Sequence, residues 1–422
     1  MKLKPTLIWV FLLGFLVFLS FNKHSKSPLF SYQSVIHADK AGYYIYLPAF
    51  FIAGMNVEKL PNSIDKKTGQ GFQIDFEQKI VKTKYTTGVA IMELPFFLVA
   101  HGASYALGKE TSGFTAFYYG VINIASVSYL IIGLLLLYHS LQTMFSKKIT
   151  IYSLTFILLG SNLYYYAVDE TGMSHVYSFA LFSALFYLLV FHEKYVGRSI
   201  KYGVMIGFVM GMIVLVRPTN ILFVFILGLT YFRQLKEIGF IRNWRFLCSA
   251  TIIGVFVFIP QLLYWKWAYG NYFSYSYGNE SFSNWDSPKI LETLFAPNNG
   301  LFTHSLVMIF VIIGLGIMLY KNQFLSKTIF ILFILVTYLT ASWWVYTFGC
   351  GFGARTFVEY FAILVIPLGV LITKIDSSRL KYFLYPLFLL LIIVNVNMSY
   401  HYDECWFGNG NWDWETYCAN FF

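Results

Sequence analysis

Hydrophobic and polar positions in this chain alternate on a scale much longer than the period of a strand or an amphipathic helix. Apolar runs of about 17–25 residues, enough to cross a bilayer core as a helix, recur from end to end with short polar breaks between them. They predict spans near Pro5–Phe21, Phe114–Ser140, Thr150–Ala167, Val176–Phe191, Tyr202–Val216, Asn220–Phe232, Phe246–Tyr264, Leu301–Tyr320, Thr328–Tyr346, Val358–Ile372 and Tyr382–Val396. Two further apolar stretches, Gly42–Met55 and Gly88–Leu107, suit either spans or helices lying in the interface. The expected fold class is an all-α polytopic membrane protein of about 11 transmembrane helices plus two juxtamembrane helices, or about 13 spans if both cross.

The breaks carry different charges. With the N-terminus inside, those at Lys147/Lys148, Lys194/Arg198/Lys201, Arg233/Lys236/Arg242/Arg245, Lys321/Lys327 and Lys374/Arg379/Lys381 all fall on the cytoplasmic side, as the positive-inside rule requires. With Lys2 and Lys4 they hold 16 of the 30 basic residues but three of the 20 acidic ones. The Lys-rich segment from Glu58 to Lys84 is the exception: cytoplasmic if both ambiguous stretches span, external if neither does. The breaks around Asp39, VDETGMSH, VRPTN, Lys266–Gly300 and FGCGFGARTFVEY come out together on the external face. A single transmembrane domain over residues 1–400, with an external loop 22–87 bearing the juxtamembrane segments and a short external tail 401–422, is the expected organisation.

Composition agrees with a lipid environment. Of 422 residues, 58% are hydrophobic and 12% charged, against about a quarter charged in soluble domains. The 44 Phe and 33 Tyr gather near run ends, where amphipathic rings favour the headgroup zone. A net charge of +10 serves orientation here and calls for no nucleic-acid partner. The start, MKLKPTLIWVFLLGFLVFLSF, has the basic and apolar parts of a signal peptide but no small-x-small site before Asn22, and reads as an uncleaved span. Among four cysteines, a Cys405–Cys418 disulfide is one pairing the spacing allows.

Several polar groups carry chemistry. Asp39, walled by the aromatics of GYYIYLP, suits a general base, or else is a solvated loop residue beside Lys40. Asp169, Glu170 and His175 in DETGMSH suit acceptor orientation, proton transfer or a metal of unspecific spacing, or a polar turn capping the next helix. Arg217, before Pro218 on the side where cations are scarce, can hold a lipid phosphate or snorkel. In SWWVYTFGCGFGARTFVEY, Arg355 and Glu359 stand i, i+4 at a span start, so Glu359 is expected to hold the Arg355 rotamer; a structural ion pair is the plainer reading. Its glycines do not form a GxGxxG fingerprint. The aromatic and amide-rich loop Lys266–Gly300 suits sugar faces, His304 is a candidate phosphate or hydroxyl contact, and Glu93 is a buried acid of no evident purpose.

Together these features resemble the GT-C superfamily of polytopic glycosyltransferases. Asp39 with GYYIYLP looks like that family's acidic external site, and KYTTGVAIMELPFF (Lys84–Phe97) like its Tyr-Pro-x-Gly-type juxtamembrane segment; VRPTN, LFAPNNGLF and GFGARTFVEY are similar to stretches in bacterial members. Many relatives carry a second acid beside the first, where this chain has Lys40. The tail after Tyr400 is short and rich in Trp, Asp and Asn, where some relatives carry a large soluble C-terminal domain, so acceptor recognition is expected to rest on the loops. The resemblance implies an inverting sugar transfer from a polyprenyl-phosphate donor to a glycan, lipid or protein acceptor in the cell envelope, without cofactor. Asp39, Arg355 and Glu359 would be catalytic, and Lys40, Tyr43, Tyr44, Asp169, Glu170, His175, Arg217 and His304 substrate-binding. It also implies the bacterial inner membrane, with the site external. A polytopic transporter or lipid flippase is the competing class, disfavoured by the absence of an internal repeat and of a midplane site; a non-catalytic assembly subunit is the third.

Overall fold

The computed structural model describes residues 5–402 and 413–421. It is almost entirely helical. In chain order the helices are α1 (Pro5–His24), α2 (Asp39–Tyr44), α3 (Ile64–Lys67), α4 (Gly88–Ala106), α5 (Ala116–Leu141), α6 (Lys147–Leu159), α7 (Ser174–Val190), α8 (Ser199–Val216) and α9 (Ile221–Glu237). They continue as α10 (Trp244–Tyr269), α11 (Ile290–Phe295), α12 (Leu301–His304), α13 (Met308–Tyr320), α14 (Ser326–Ser342), α15 (Phe361–Asp376), α16 (Lys381–His401) and α17 (Trp414–Phe421). Among the described residues the strands are β1 (Gln73–Asp75) and β2 (Ile80–Lys82), an antiparallel hairpin between α3 and α4. Six helices, α1, α4, α5, α8, α10 and α16, are long and apolar enough to cross a membrane. Their outward faces are apolar too: Phe11, Phe18, Ile252, Phe256, Leu389 and Ile393 are all exposed. In water so large an apolar surface would aggregate; against lipid tails it costs nothing.

Each of the eleven predicted apolar runs carries helix. Two are interrupted: α6 stops at Gly160, ahead of a π-turn at Tyr165–Asp169, and Leu301–Tyr320 divides into α12 and α13. The ambiguous stretch Gly42–Met55 is no continuous helix. It breaks between α2 and a π-turn at Pro48–Ile52, because Pro48 offers no backbone N–H to the preceding turn. The stretch Gly88–Leu107 is the single helix α4, which runs beside only part of α5: Tyr129 donates to the Met92 carbonyl at 2.9 Å and His101 meets Tyr118 at 2.8 Å.

Helix packing sorts the breaks into two ends. At one, Lys148 pairs with Asp376 at 2.6 Å, Asn243 donates to Ser199 at 2.7 Å, and Thr230 meets Thr328 at 2.7 Å, gathering the basic breaks. At the other lie Asp39, Arg217 and the break from 343 to 360. α8 and α10 approach closely through Gly203, Gly207 and Gly211, one small residue per helical turn; a Cβ on Gly207 would stand 2.2 Å from the Ala250 carbonyl oxygen. A second apolar cluster, with Tyr44, Phe97, Phe114 and Tyr118, packs under α2 and anchors it. Cys418 is an exposed free thiol on α17, so it does not bridge to Cys405, which lies outside the described residues. Cys350 is disulfide-bonded.

Candidate active site

One helical turn sorts the residues after His37. In α2, positions four apart share a face, so Asp39 and Tyr43 point one way and Lys40 and Tyr44 another. Tyr43 donates to Ser174 at 3.2 Å and packs on the Tyr85 ring at 4.4 Å. Tyr44 turns into the apolar cluster, where its hydroxyl donates to the Gly113 carbonyl at 2.6 Å. Lys40, 4% exposed, pairs with Glu170 at 2.7 Å. Ala38 enters the helix at φ 47°, ψ −123°, a backbone region that suits glycine far better than alanine. Bonds from its N–H to the Thr68 carbonyl (2.8 Å) and from the Gly42 N–H to its own carbonyl (3.1 Å) hold it there.

Tyr85 reaches Asp39 across Gly42. A Cβ on Gly42 would stand 2.3 Å from the Tyr85 ring and 2.4 Å from the Gly71 carbonyl oxygen, so only glycine lets the ring lie flat there. The Tyr85 hydroxyl then donates to Asp39 Oδ1. Arg355 donates to Oδ2 at 3.1 Å, from a guanidinium 14% exposed to a carboxylate 32% exposed.

Glu359 does not hold Arg355. The chain from Arg355 to Phe357 is a 3-10 turn rather than α-helix, and at three residues per turn the i and i+4 side chains diverge by about a third of a revolution. Glu359 instead accepts from His175 Nδ1 at 2.9 Å and pairs with Arg217 Nε at 3.5 Å, with His175 and Glu359 both 1% exposed. Arg217 Nη1 lies 2.9 Å and 3.2 Å from the two ring nitrogens of His175. Pro218 is the cause of Arg217's position: it disfavours helix in the residue before it, so α8 ends at Val216 and Arg217 is extended, at φ −148°, ψ 111°.

These groups line one cavity of about 410 Å³. Asp39, Tyr43, His175, Arg217, Arg355 and Glu359, drawn from four separate breaks, meet in it. The other predicted residues do not line it. Lys40 and Glu170 satisfy each other, Asp169 accepts from Ser399 at 2.7 Å, and Tyr44 is buried elsewhere. His304 packs edge-on against Phe352, with Nδ1 beside Thr303 Oγ1 at 2.9 Å. DETGMSH is thus dispersed, since Gly172 at φ 87° turns His175 away from the two acids. Among the described residues no group of three His, Cys, Asp or Glu side chains is placed to hold a metal. Glu93, 1% exposed, accepts from Tyr177 at 2.7 Å.

Sequence reasoning passed over Tyr85 and Lys84 as site residues, along with Tyr277 and Glu280. Lys84 pairs with Glu280 at 2.6 Å and lies over the rings of Tyr85 and Tyr277. The signal available was that KYTTG and SYSYGNE are both aromatic and charged beside apolar runs.

The local field favours the ionised form of Asp39. Burial pushes the Asp39 carboxyl up, but the Arg355 guanidinium, the Tyr85 hydroxyl and Lys84 outweigh it and hold it below its ordinary value. Burial, reinforced by Asp39, raises the Tyr85 hydroxyl well above the usual phenol range, so it stays a donor. No family model, no curated protein and no solved structure matches the chain. The arrangement therefore speaks through its chemistry: an ionised carboxylate, two guanidiniums and aromatic walls around one space.

Proposed function

We propose that the chain is a GT-C-like membrane glycosyltransferase that moves a sugar from a polyprenyl-phosphate-linked donor to an acceptor, with inversion. The observation that carries this reading is the Asp39–Arg355 pair at 3.1 Å in the wall of a cavity that also holds Arg217. A carboxylate that is a general base and cations that meet a departing phosphate must lie within one substrate's reach of each other, and here they do. Asp39 takes the proton of an acceptor hydroxyl as its oxygen bonds to the anomeric carbon. The bond from that carbon to the phosphate oxygen breaks, and its electron pair leaves with the lipid phosphate. Arg355 and Arg217 stabilise that charge as cations already held in place by their ion pairs. In the resting site Arg355 is spent on Asp39; drawing it onto a phosphate frees the carboxylate as a stronger base, so donor binding primes the base. Glu359 and His175 position Arg217 rather than Arg355.

The reading includes a bundle of about 11 spans, with α4 as a juxtamembrane helix, as its limited run beside α5 suggests. It also includes the bacterial inner membrane, with basic breaks cytoplasmic and the cavity external, as the positive-inside rule supports. The test is label transfer in membranes supplied with radiolabelled polyprenyl-phosphate sugars. Wild type should transfer label, while Asp39→Asn and Arg355→Ala should not. Transfer that survives both substitutions would remove the site assignment, and no transfer from any donor would favour a transporter.

A further inference from the structure

Asp39 has a second side. Beyond the wall formed by Asp39, Lys84, Tyr85, Ser276 and Tyr277, which all belong to the first cavity, a second cavity of about 380 Å³ opens under the β1–β2 hairpin. Its other walls come from the loop at 69–73, from Thr83 and Tyr269, and from Gly278. The hairpin is fixed over it: the Tyr264 hydroxyl accepts from the Thr83 N–H at 2.8 Å, Thr83 Oγ1 donates to the Gly42 carbonyl at 2.9 Å, and Tyr269 donates to the Thr83 carbonyl at 3.2 Å.

The two cavities differ in their cations. The guanidiniums of Arg217 and Arg355 line the first only. The charged side chains that line the second are each paired, Lys82 with Asp75 at 3.3 Å, Lys84 with Glu280 at 2.6 Å and Asp39 with Arg355 at 3.1 Å, so a charged ligand meets no unpaired counter-ion there. What the walls present instead are neutral hydrogen-bonding groups, the amides of Gln70 and Gln73 and the hydroxyls of Ser276 and Tyr269, beside the flat rings of Tyr85 and Tyr277. Amides for hydroxyls and rings for C–H faces are the complement of an uncharged sugar.

We infer that the second cavity binds the acceptor of the transfer, and that this acceptor is an uncharged carbohydrate whose hydroxyl meets Asp39 from the hairpin side while the phosphate occupies the arginine side. This rests on the glycosyl-transfer reading and adds to it the class of acceptor and the hairpin as its selector. A phosphorylated or carboxylated acceptor does not suit the site, because it would meet Asp39 with no free cation.

The test separates the two cavities by binding rather than turnover. Detergent-solubilised full-length protein is screened with a panel of methyl glycosides by saturation-transfer difference NMR, and separately with polyprenyl phosphate. Gln73→Trp fills the second cavity from an exposed position on β1, and Arg217→Ala empties the first of a cation. At least one methyl glycoside should bind wild type and lose about tenfold or more in affinity in Gln73→Trp, with polyprenyl phosphate binding unchanged; Arg217→Ala should do the reverse. Gln73→Ala, which opens the cavity without filling it, should leave glycoside binding closer to wild type. Glycosides that bind neither wild type nor Gln73→Ala, or that bind Gln73→Trp as well as wild type, overturn the inference. Absence of polyprenyl phosphate binding in wild type counts against the transferase reading instead, and leaves the glycoside result to stand or fall by itself.

Discussion

Replacing Arg355 by Gln should move the pH at which Asp39 becomes active. The guanidinium nitrogen is 3.1 Å from Oδ2, and opposite unit charges about 4 Å apart are worth about 4 kcal/mol at an effective dielectric constant of about 20. At about 1.36 kcal/mol per pKa unit, that bounds the effect near three units. Asp39 is 32% exposed, so water screens the pair, and neighbouring-charge shifts of about one to three units are the realistic range. The direction follows from the balance at the carboxyl. Burial pushes it up, and Arg355, Tyr85 and Lys84 pull it down to a net lowering; without Arg355 the upward push gains. Because the folded value is depressed, the stability contributed by ionised Asp39 is present above the unfolded value near about 3.9 and is lost only as pH falls through the folded value. In Arg355→Gln that loss begins at higher pH, and so does the acid limb of the transfer rate. The assay is transfer by membranes from about pH 4 to 8, normalised to each variant's own maximum so that reduced turnover does not mask the limb. Arg355→Lys, which keeps a cation, should stay near wild type. Where turnover is too slow, the carboxylate stretch in infrared difference spectra against Asp39→Asn reads the same ionisation. An Arg355→Gln limb that coincides with wild type would refute the assigned role of the ion pair.

Two further outcomes follow from packing. Gly42→Ala puts a methyl group 2.3 Å from the Tyr85 ring and 2.4 Å from the Gly71 carbonyl oxygen, so it should cost about 1–3 kcal/mol of local stability and abolish transfer while helix content by circular dichroism is kept; full activity would show that Tyr85 need not lie on α2. Lys40→Met leaves Glu170 without its partner at 2.7 Å, and Lys40→Met with Glu170→Met should recover much of the melting temperature lost by the single change, since an unpaired charge costs more than no pair; equal melting temperatures for single and double variants would show the pair to be of no consequence.

What could be read in advance, and what could not, divides along the range of the interactions. Run length depends on local composition alone, and the eleven apolar runs carry helix. The sorting of α2 was also within reach: Asp39 with Tyr43 and Lys40 with Tyr44 are i, i+4 pairs, and a short helix there already turns Lys40 away from whatever Asp39 faces. Glu359 was misassigned because i, i+4 neighbours meet only in α-helix, and nothing local in ARTFVE reports the 3-10 turn; its partner His175 is 184 residues away. His304, Asp169 and Glu170 were selected because polar groups beside apolar runs draw attention, yet a buried helix end also needs polar groups to satisfy backbone and one another, and these three lie outside the cavity lining.

The same physics explains why the site lies where it does. The lipid-facing surfaces of spanning helices must be apolar, since a polar group without a partner in hydrocarbon costs several kcal/mol, so the polar groups that line the cavity are carried by the breaks. Antiparallel helices joined by short breaks bring alternate breaks to the same end. Asp39, His175, Arg217 and Arg355 belong to four such breaks at the end away from the basic ones, and they meet because the glycine seam of α8 on α10 and the Pro218 break hold Arg217 near His175 and Glu359. On the proposed glycosyl-transfer reading, acceptor choice can change through the 58–84 segment or the 270–300 loop without disturbing a single span.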